Sequence, residues 1–174
     1  GMMEWPTSII FDKDDRLFLA DESLQRITVF DSDHNYENHW GAHGSGDGEF
    51  DGPAGIAFDS DGNLLVVDEK NHRIQRYTPD GQFISSFGSE GSGDGEFNYP
   101  WGITVAPNGH IYVADWRNDR IQRFTHLGEL IDVYGTRGRD EGQFDRPSDI
   151  AVDKAGNIFV TDWGNQRLQV FDSE

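Results

Sequence analysis

The sequence predicts an all-β fold built from β-propeller blades. Three observations carry that prediction: a gapless repeat, alternating hydrophobicity within it, and turn residues between the alternating runs. Pro6, Pro53, Pro100 and Pro147 stand 47 residues apart. Asp21, Asp68, Asp115 and Asp162 keep the same period, as do Arg26, Arg73, Arg120 and Arg167. Phe30, Tyr77, Phe124 and Phe171 follow it too, and Phe50, Phe97 and Phe144 mark the approach to each new unit. A fixed period of this length signals a repeat architecture, in which each unit buries its faces only against its neighbours.

The second repeat shows the elements in order. Gly55-Ile56-Ala57-Phe58 reads as a first strand, closed by the turn Ser60-Asp61-Gly62-Asn63. Leu64-Leu65-Val66-Val67 is apolar throughout and predicts a strand buried on both faces. Arg73-Ile74-Gln75-Arg76-Tyr77 alternates as a half-exposed third strand, and Pro79-Asp80-Gly81 turns into a fourth, Phe83-Ile84-Ser85-Ser86-Phe87. A glycine-rich connection over 88–97 leads to the next unit. Four short antiparallel strands per unit is the pattern of a propeller blade. Ile9, Ile56, Ile103 and Ile150 are expected to fill one inward site of the first strand. Phe11, Phe58, Val105 and Val152 are expected to fill another. The first repeat is worn, with Asp15 and His34 where later units have Gly62 and Gly81.

The blades span 5–50, 51–97, 98–144 and 145–174, and 1–4 form a tail. In that tail Gly1, ahead of Met2 and Met3, reads as a tag remnant. The fourth blade stops after its third strand, so the chain holds about 3.75 repeats of 47 residues. A ring left incomplete within one chain leaves blade faces and a strand edge bare. Two outcomes are expected: a homodimer of two arcs with about eight blades, or a fragment of a longer chain.

Composition narrows the function classes. The formal net charge of −18, with 32 acids against 14 bases spread through the repeats, disfavours nucleic acid and anionic membranes as partners. There is no cysteine, hence no disulfide frame or thiolate metal site. The start shows neither a basic region nor an apolar stretch, which leaves the cytoplasm as the default expectation.

The motif Pro-x-Gly-Ile, then Asp-Gly-Asn, then Val-x-Asp-x-x-Asn-x-Arg-Ile-Gln-x-aromatic, then Phe-Gly and Gly-x-Phe runs nearly throughout from Pro53 to Phe97 and from Pro100 to Phe144. It resembles the NHL repeat, and the resemblance extends over residues 5–174. That resemblance implies a propeller; NHL proteins include protein-recognition modules, RNA binders, sensor domains and a lyase. The chain is also distantly similar to the peptidyl-hydroxyglycine α-amidating lyases, whose propeller binds zinc through histidines. Where that family has a histidine after the repeat proline, this chain has Trp101. Where it has Asp-Gly-Tyr, this chain has Asp162-Trp163-Gly164, and its arginine after the repeat aspartate becomes Trp116.

Repeated residues are expected to build the blade. Asp68 and Arg73 flank a short turn and predict a cross-strand ion pair, with Asn71 in the turn suited to the left-handed region. The acidic loops around Asp47 and Glu49, and around Asp94 and Glu96, could supply oxygens to calcium. Their spacing is not that of a calcium loop, and no cofactor is predicted. Positions that break the repeat are better candidates, because the fold does not demand them. After the repeated aspartate stand Glu22, Glu69, Trp116 and Trp163. Trp101, Trp116, Trp163, His72, Arg117 and Asp149 are therefore expected to share one loop face as an aromatic-lined patch, unless the tryptophans only pad the seams between blades. The expected function is a binding or scaffold module for a protein or small ligand. The alternatives are a metal-dependent lyase or hydrolase and an RNA-binding propeller.

Overall fold

The computed structural model describes residues 3–172, which form fifteen strands in four antiparallel sheets. The first blade is β1 (Pro6–Phe11), β2 (Leu17–Asp21), β3 (Arg26–Phe30) and β4 (Tyr36–Trp40). The second is β5 (Pro53–Phe58), β6 (Leu64–Asp68), β7 (Arg73–Tyr77) and β8 (Phe83–Phe87). The third is β9 (Pro100–Val105), β10 (Ile111–Asp115), β11 (Arg120–Phe124) and β12 (Leu130–Tyr134). The fourth has three strands, β13 (Pro147–Val152), β14 (Ile158–Asp162) and β15 (Arg167–Phe171). In every sheet the strands lie in sequence order, the meander of a propeller blade.

Proline opens each first strand because that position needs no ladder N–H. Pro6 pairs with Asp21, Pro53 with Asp68, Pro100 with Asp115 and Pro147 with Asp162, each beside a bulge. The turns between strands use left-handed backbone at fixed places. Gly62 and Gly81 have φ of 81° and 84°, and in the worn first repeat Asp15 and His34 take the same region at 59° and 65°. A non-glycine residue there costs about 1 kcal/mol, and the first blade carries that cost twice.

The chain divides into two compact units, Gly1–Phe87 and Gly88–Glu174, each holding two blades. Within each unit the packing obeys one rule. Call the face of a blade that carries Ile9 or its counterpart the front, and the opposite face the back. In the first unit the back of blade one (Phe18, Ala20, Ile27, Val29) packs on the front of blade two (Ile56, Leu64, Val66, Tyr77), with Phe50 in the seam. In the second unit the back of blade three (Tyr112, Ala114, Ile121) packs on the front of blade four (Ile150, Ile158, Val160), with Phe144 in the seam.

The expectation that all four isoleucines fill an inward site needs correction. Ile56, Ile103 and Ile150 are 5–6% exposed, whereas Ile9 is 63% exposed, because nothing among the described residues covers the front of blade one. Leu168, on the back of blade four, is likewise 58% exposed where its counterpart Ile121 is 1% exposed. No helix is long and apolar enough to cross a membrane among the described residues.

Candidate functional site

The repeated Asp, Asn, Arg and Gln form a staple. Asp68 pairs in register with Arg73 across β6 and β7, and the Arg73 Nε donates to Asp68 Oδ2 at 2.8 Å. The same bond is 2.7 Å from Arg120 to Asp115 and 2.8 Å from Arg167 to Asp162. The free ends of these side chains grip the glycine-rich connection that precedes each blade. Arg120 donates to the carbonyls of Ser92, Gly93 and Glu96, Asn118 to Gly91, and Gln122 to Glu96. The constellation is therefore structural, as its recurrence predicts. The expected left-handed Asn71 is not found: Asn71 ends a one-turn 3₁₀ helix, Glu69–Asn71, and the positive φ falls one residue later, at His72 with 55°.

The balance of burial against hydrogen bonding at the staple carboxyls differs between blades. At Asp68 and Asp115 desolvation outweighs the hydrogen bonds and pushes the carboxyls up. At Asp162 desolvation is again the largest single influence. There the Asp145 amide, the Asn165 side chain and the Arg167 guanidinium together outweigh it and hold the carboxyl below the usual range.

In each acidic loop the glutamate bonds the backbone of its own turn, while Asp47 and Asp94 stay exposed. Glu49 Oε2 accepts the Gly46 amide at 2.9 Å and Glu96 Oε2 the Gly93 amide at 2.8 Å. In the third loop Gln143 does the same for Asp140 at 3.1 Å, so the position needs an acceptor and not a charge. Among the described residues no three His, Asp or Glu side chains converge as a metal site.

What the repeat does not demand gathers in the second unit. Trp116 and Arg117 lie in the one-turn helix Trp116–Asn118 after β10, and Trp163 lies in the turn after β14. Arg117 sits 4.0 Å over the Tyr99 ring and 5.6 Å from Trp116. Arg146 sits 5.5 Å from Trp116 and 5.8 Å from Trp163. The result is an alternating ladder, Tyr99–Arg117–Trp116–Arg146–Trp163, in which each guanidinium bridges two rings. Beside it a cleft of about 440 Å³ is lined by Trp116, Arg117, Arg137, Arg146, Asp119 and Asp145, together with Asn98. Its ion pairs are loose, with Arg137 to Asp119 and Arg146 to Asp145 both at 3.9 Å. The guanidinium groups therefore keep donors to spare.

Two ladder members were not anticipated from the sequence. Tyr99 and Arg146 occupy the position of Gly52 and share its left-handed backbone, with φ of 53° and 57° against 78°. The Arg146 amide is held there by Asp119 Oδ1 at 2.8 Å, just as the Gly52 amide is held by Gln25. The signal available was the column Gly52, Tyr99, Arg146, where bulky side chains replace the residue that the backbone prefers.

Of the six predicted residues, the ladder contains Trp116, Arg117 and Trp163. Trp101 and Asp149 lie instead on the neighbouring first strands β9 and β13, which approach closely enough that a Cβ on Gly102 would lie 2.6 Å from the Ser148 carbonyl. Desolvation pushes the Asp149 carboxyl up against one opposing bond, from the Ile150 amide. His72 belongs to the first unit and is buried.

A larger cavity of about 590 Å³ in the second unit lies away from the ladder, lined in part by Tyr112, Arg123, Tyr134, Val152 and Phe171. In the first unit the equivalent space is taken by Phe83 of the fourth strand, packed on Tyr77 at 5.9 Å.

The NHL repeat model matches residues 50–77, 97–124 and 144–171. No curated protein matches the chain. Among solved structures, a streptogramin B lyase superposes with a TM-score of 0.73 at 20% identity, over 97% of this chain and 55% of that one. The virginiamycin B lyase of Staphylococcus aureus, crystallised as a catalytically inactive variant with quinupristin, gives 0.71 at 19% identity, over 96% and 55%. The WD40 β-propeller domain of Doa1 gives 0.69 at 15% identity, over 92% and 48%. The chain thus spans about half the length of these propellers, whose likeness concerns the fold alone. With its motif matched three times and its strands folded as blades, the chain carries three NHL repeats that form β-propeller blades.

Proposed function

We propose that the chain is a recognition module whose loop face, centred on the Tyr99–Arg117–Trp116–Arg146–Trp163 ladder, binds a partner segment carrying carboxylates beside aromatic or apolar side chains. One observation carries this reading. The Arg117 guanidinium lies 4.0 Å from the Tyr99 ring centre, that of Arg146 lies between the Trp116 and Trp163 rings, and the Arg146 ion pair to Asp145 is loose at 3.9 Å. A pre-oriented guanidinium loses less entropy on pairing with a carboxylate, and flat aromatic surface adds contact area at low cost. In the first unit the matching place holds an ordinary charge pair, Lys70 to Glu22 at 2.9 Å. The ladder also bridges blades three and four, so it serves packing and recognition together.

The net charge of −18 repels anions at long range, but that field is screened beyond about 8 Å at physiological ionic strength. Only a partner that reaches contact with the arginines gains from them, which favours selectivity over speed.

Titration of a synthetic peptide of alternating glutamate and phenylalanine, followed by tryptophan fluorescence, tests the proposal. Arg117→Ala and Arg146→Ala should each weaken binding about 10- to 100-fold, the loss of one charge-assisted contact. Unchanged affinity in both variants would reject this face.

A further inference from the structure

We propose that the bare front of blade one and the bare back of blade four are mates, and that each is covered by the other in a second copy of the chain. Both faces are apolar where their counterparts inside the chain are sealed. Ile9, Phe11 and Tyr36 stand exposed on the front of blade one, Leu168 and Val170 on the back of blade four.

The side chains specify which seam these faces would make. Two kinds of seam exist within the units. Between blades one and two, a back carrying Phe18 and Val29 meets a front carrying Ile56, Phe58 and Leu64, with Phe18 and Phe58 edge to face at 5.1 Å. Between blades three and four, a back carrying Tyr112 and Arg123 faces a front carrying Ile150, Val152 and Ile158. Phenylalanine on the front thus goes with valine on the back, and valine on the front with arginine.

The two bare faces fit the first kind. The front of blade one carries Ile9, Phe11 and Leu17, the same set as Ile56, Phe58 and Leu64. The back of blade four carries Phe159, Leu168 and Val170, matching Phe18, Ile27 and Val29. Pairing them would set Phe159 against Phe11 as Phe18 is set against Phe58, with no guanidinium to bury. A blade of another sequence would need the same combination, and the chain already carries it on its own opposite face. That is the reason for choosing a second copy as the occupant. The contact is heterologous, front to back, so each copy offers both halves.

Light scattering on the 174-residue chain, with single-face variants, tests the proposal. Wild type should run at twice the 19.6 kDa chain mass at high micromolar concentration. Ile9→Glu and Leu168→Glu should each run at the mass of one chain. Both positions are open in the single chain, so each variant should keep a cooperative melt. An equimolar mixture of the two variants should regain a dimer, since one copy keeps an intact back and the other an intact front. A monomeric wild type, a variant that stays dimeric alone, or a mixture that fails to associate would each overturn the pairing.

Discussion

Replacing Ile56 and Ile9 by alanine, one at a time, removes the same atoms from the same register position of two blades. Ile56 is 5% exposed and sits in a cluster with Phe18, Leu64 and Val66, so its loss opens a cavity in a close-packed seam. Such substitutions cost 2–5 kcal/mol, and about 3 kcal/mol is expected here. For a chain of this length that lowers the melting temperature by about 6–12 °C. Ile9 is 63% exposed, leaves no cavity, and should cost less than about 0.5 kcal/mol. Ile150→Ala, on the buried front of blade four, should behave like Ile56→Ala. Urea titration and calorimetry at low micromolar concentration measure the three costs where the chain is monomeric. At higher concentration wild type should gain stability and Ile9→Ala should not, because only wild type seals its front against a second copy. Equal costs for Ile9→Ala and Ile56→Ala in the dilute sample would refute the assignment of blade one's front as a bare face.

Three further outcomes follow from the staple, the interblade connection and the first strands. Arg120→Ala leaves the buried Asp115 carboxylate without its guanidinium and should cost about 3 kcal/mol. Arg167→Ala, whose side chain is 30% exposed against 9% for Arg120, should cost less than half of that by denaturant midpoint. Gly135→Ala combines a φ of 91° with a collision between the new Cβ and the Phe144 ring, and should cost about 3 kcal/mol. Gly109→Ala has a φ of 83° but open space around it, so its cost should stay near 1 kcal/mol in the same thermal melts. Asp149→Asn should raise the melting temperature at pH 7 only slightly, because solvent screens much of the cost at this exposed position. The folded carboxyl is pushed above its ordinary 3.8, so its charged form costs stability once pH rises through that window. Below pH 3.8 both states are protonated and the gap between variant and wild type should close.

Much of the fold was legible because the repeat reports it directly. The strands Arg73–Tyr77 and Phe83–Phe87 fall where the alternation places them, and the Asp68–Arg73 pair forms as its spacing requires. Periodicity cannot report which faces lack a neighbour. Ile9 and Ile56 look alike in sequence and differ only in what lies opposite. The left-handed residue after β6 was misplaced by one position, because the 3₁₀ turn consumes Asn71 and hands the positive φ to His72. Three of the five ladder residues were visible as breaks in the repeat, Trp116, Arg117 and Trp163. Tyr99 and Arg146 escaped because a bulky residue aligned with the single Gly52 reads as loop variation until its backbone is seen to be left-handed.

Recognition at the ladder, as distinct from the staple, is tested most directly by the arginine side-chain Nε–Hε resonances of the isotopically labelled chain during addition of the glutamate–phenylalanine peptide. Arg117 and Arg146 are held between rings on the loop face, while Arg73, Arg120 and Arg167 are locked to buried aspartates. The expected result is saturable shifts at Arg117 and Arg146, with the three staple arginines unmoved. Shifts confined to the staple arginines, or no shift at the ladder while the peptide binds, would contradict recognition at this face.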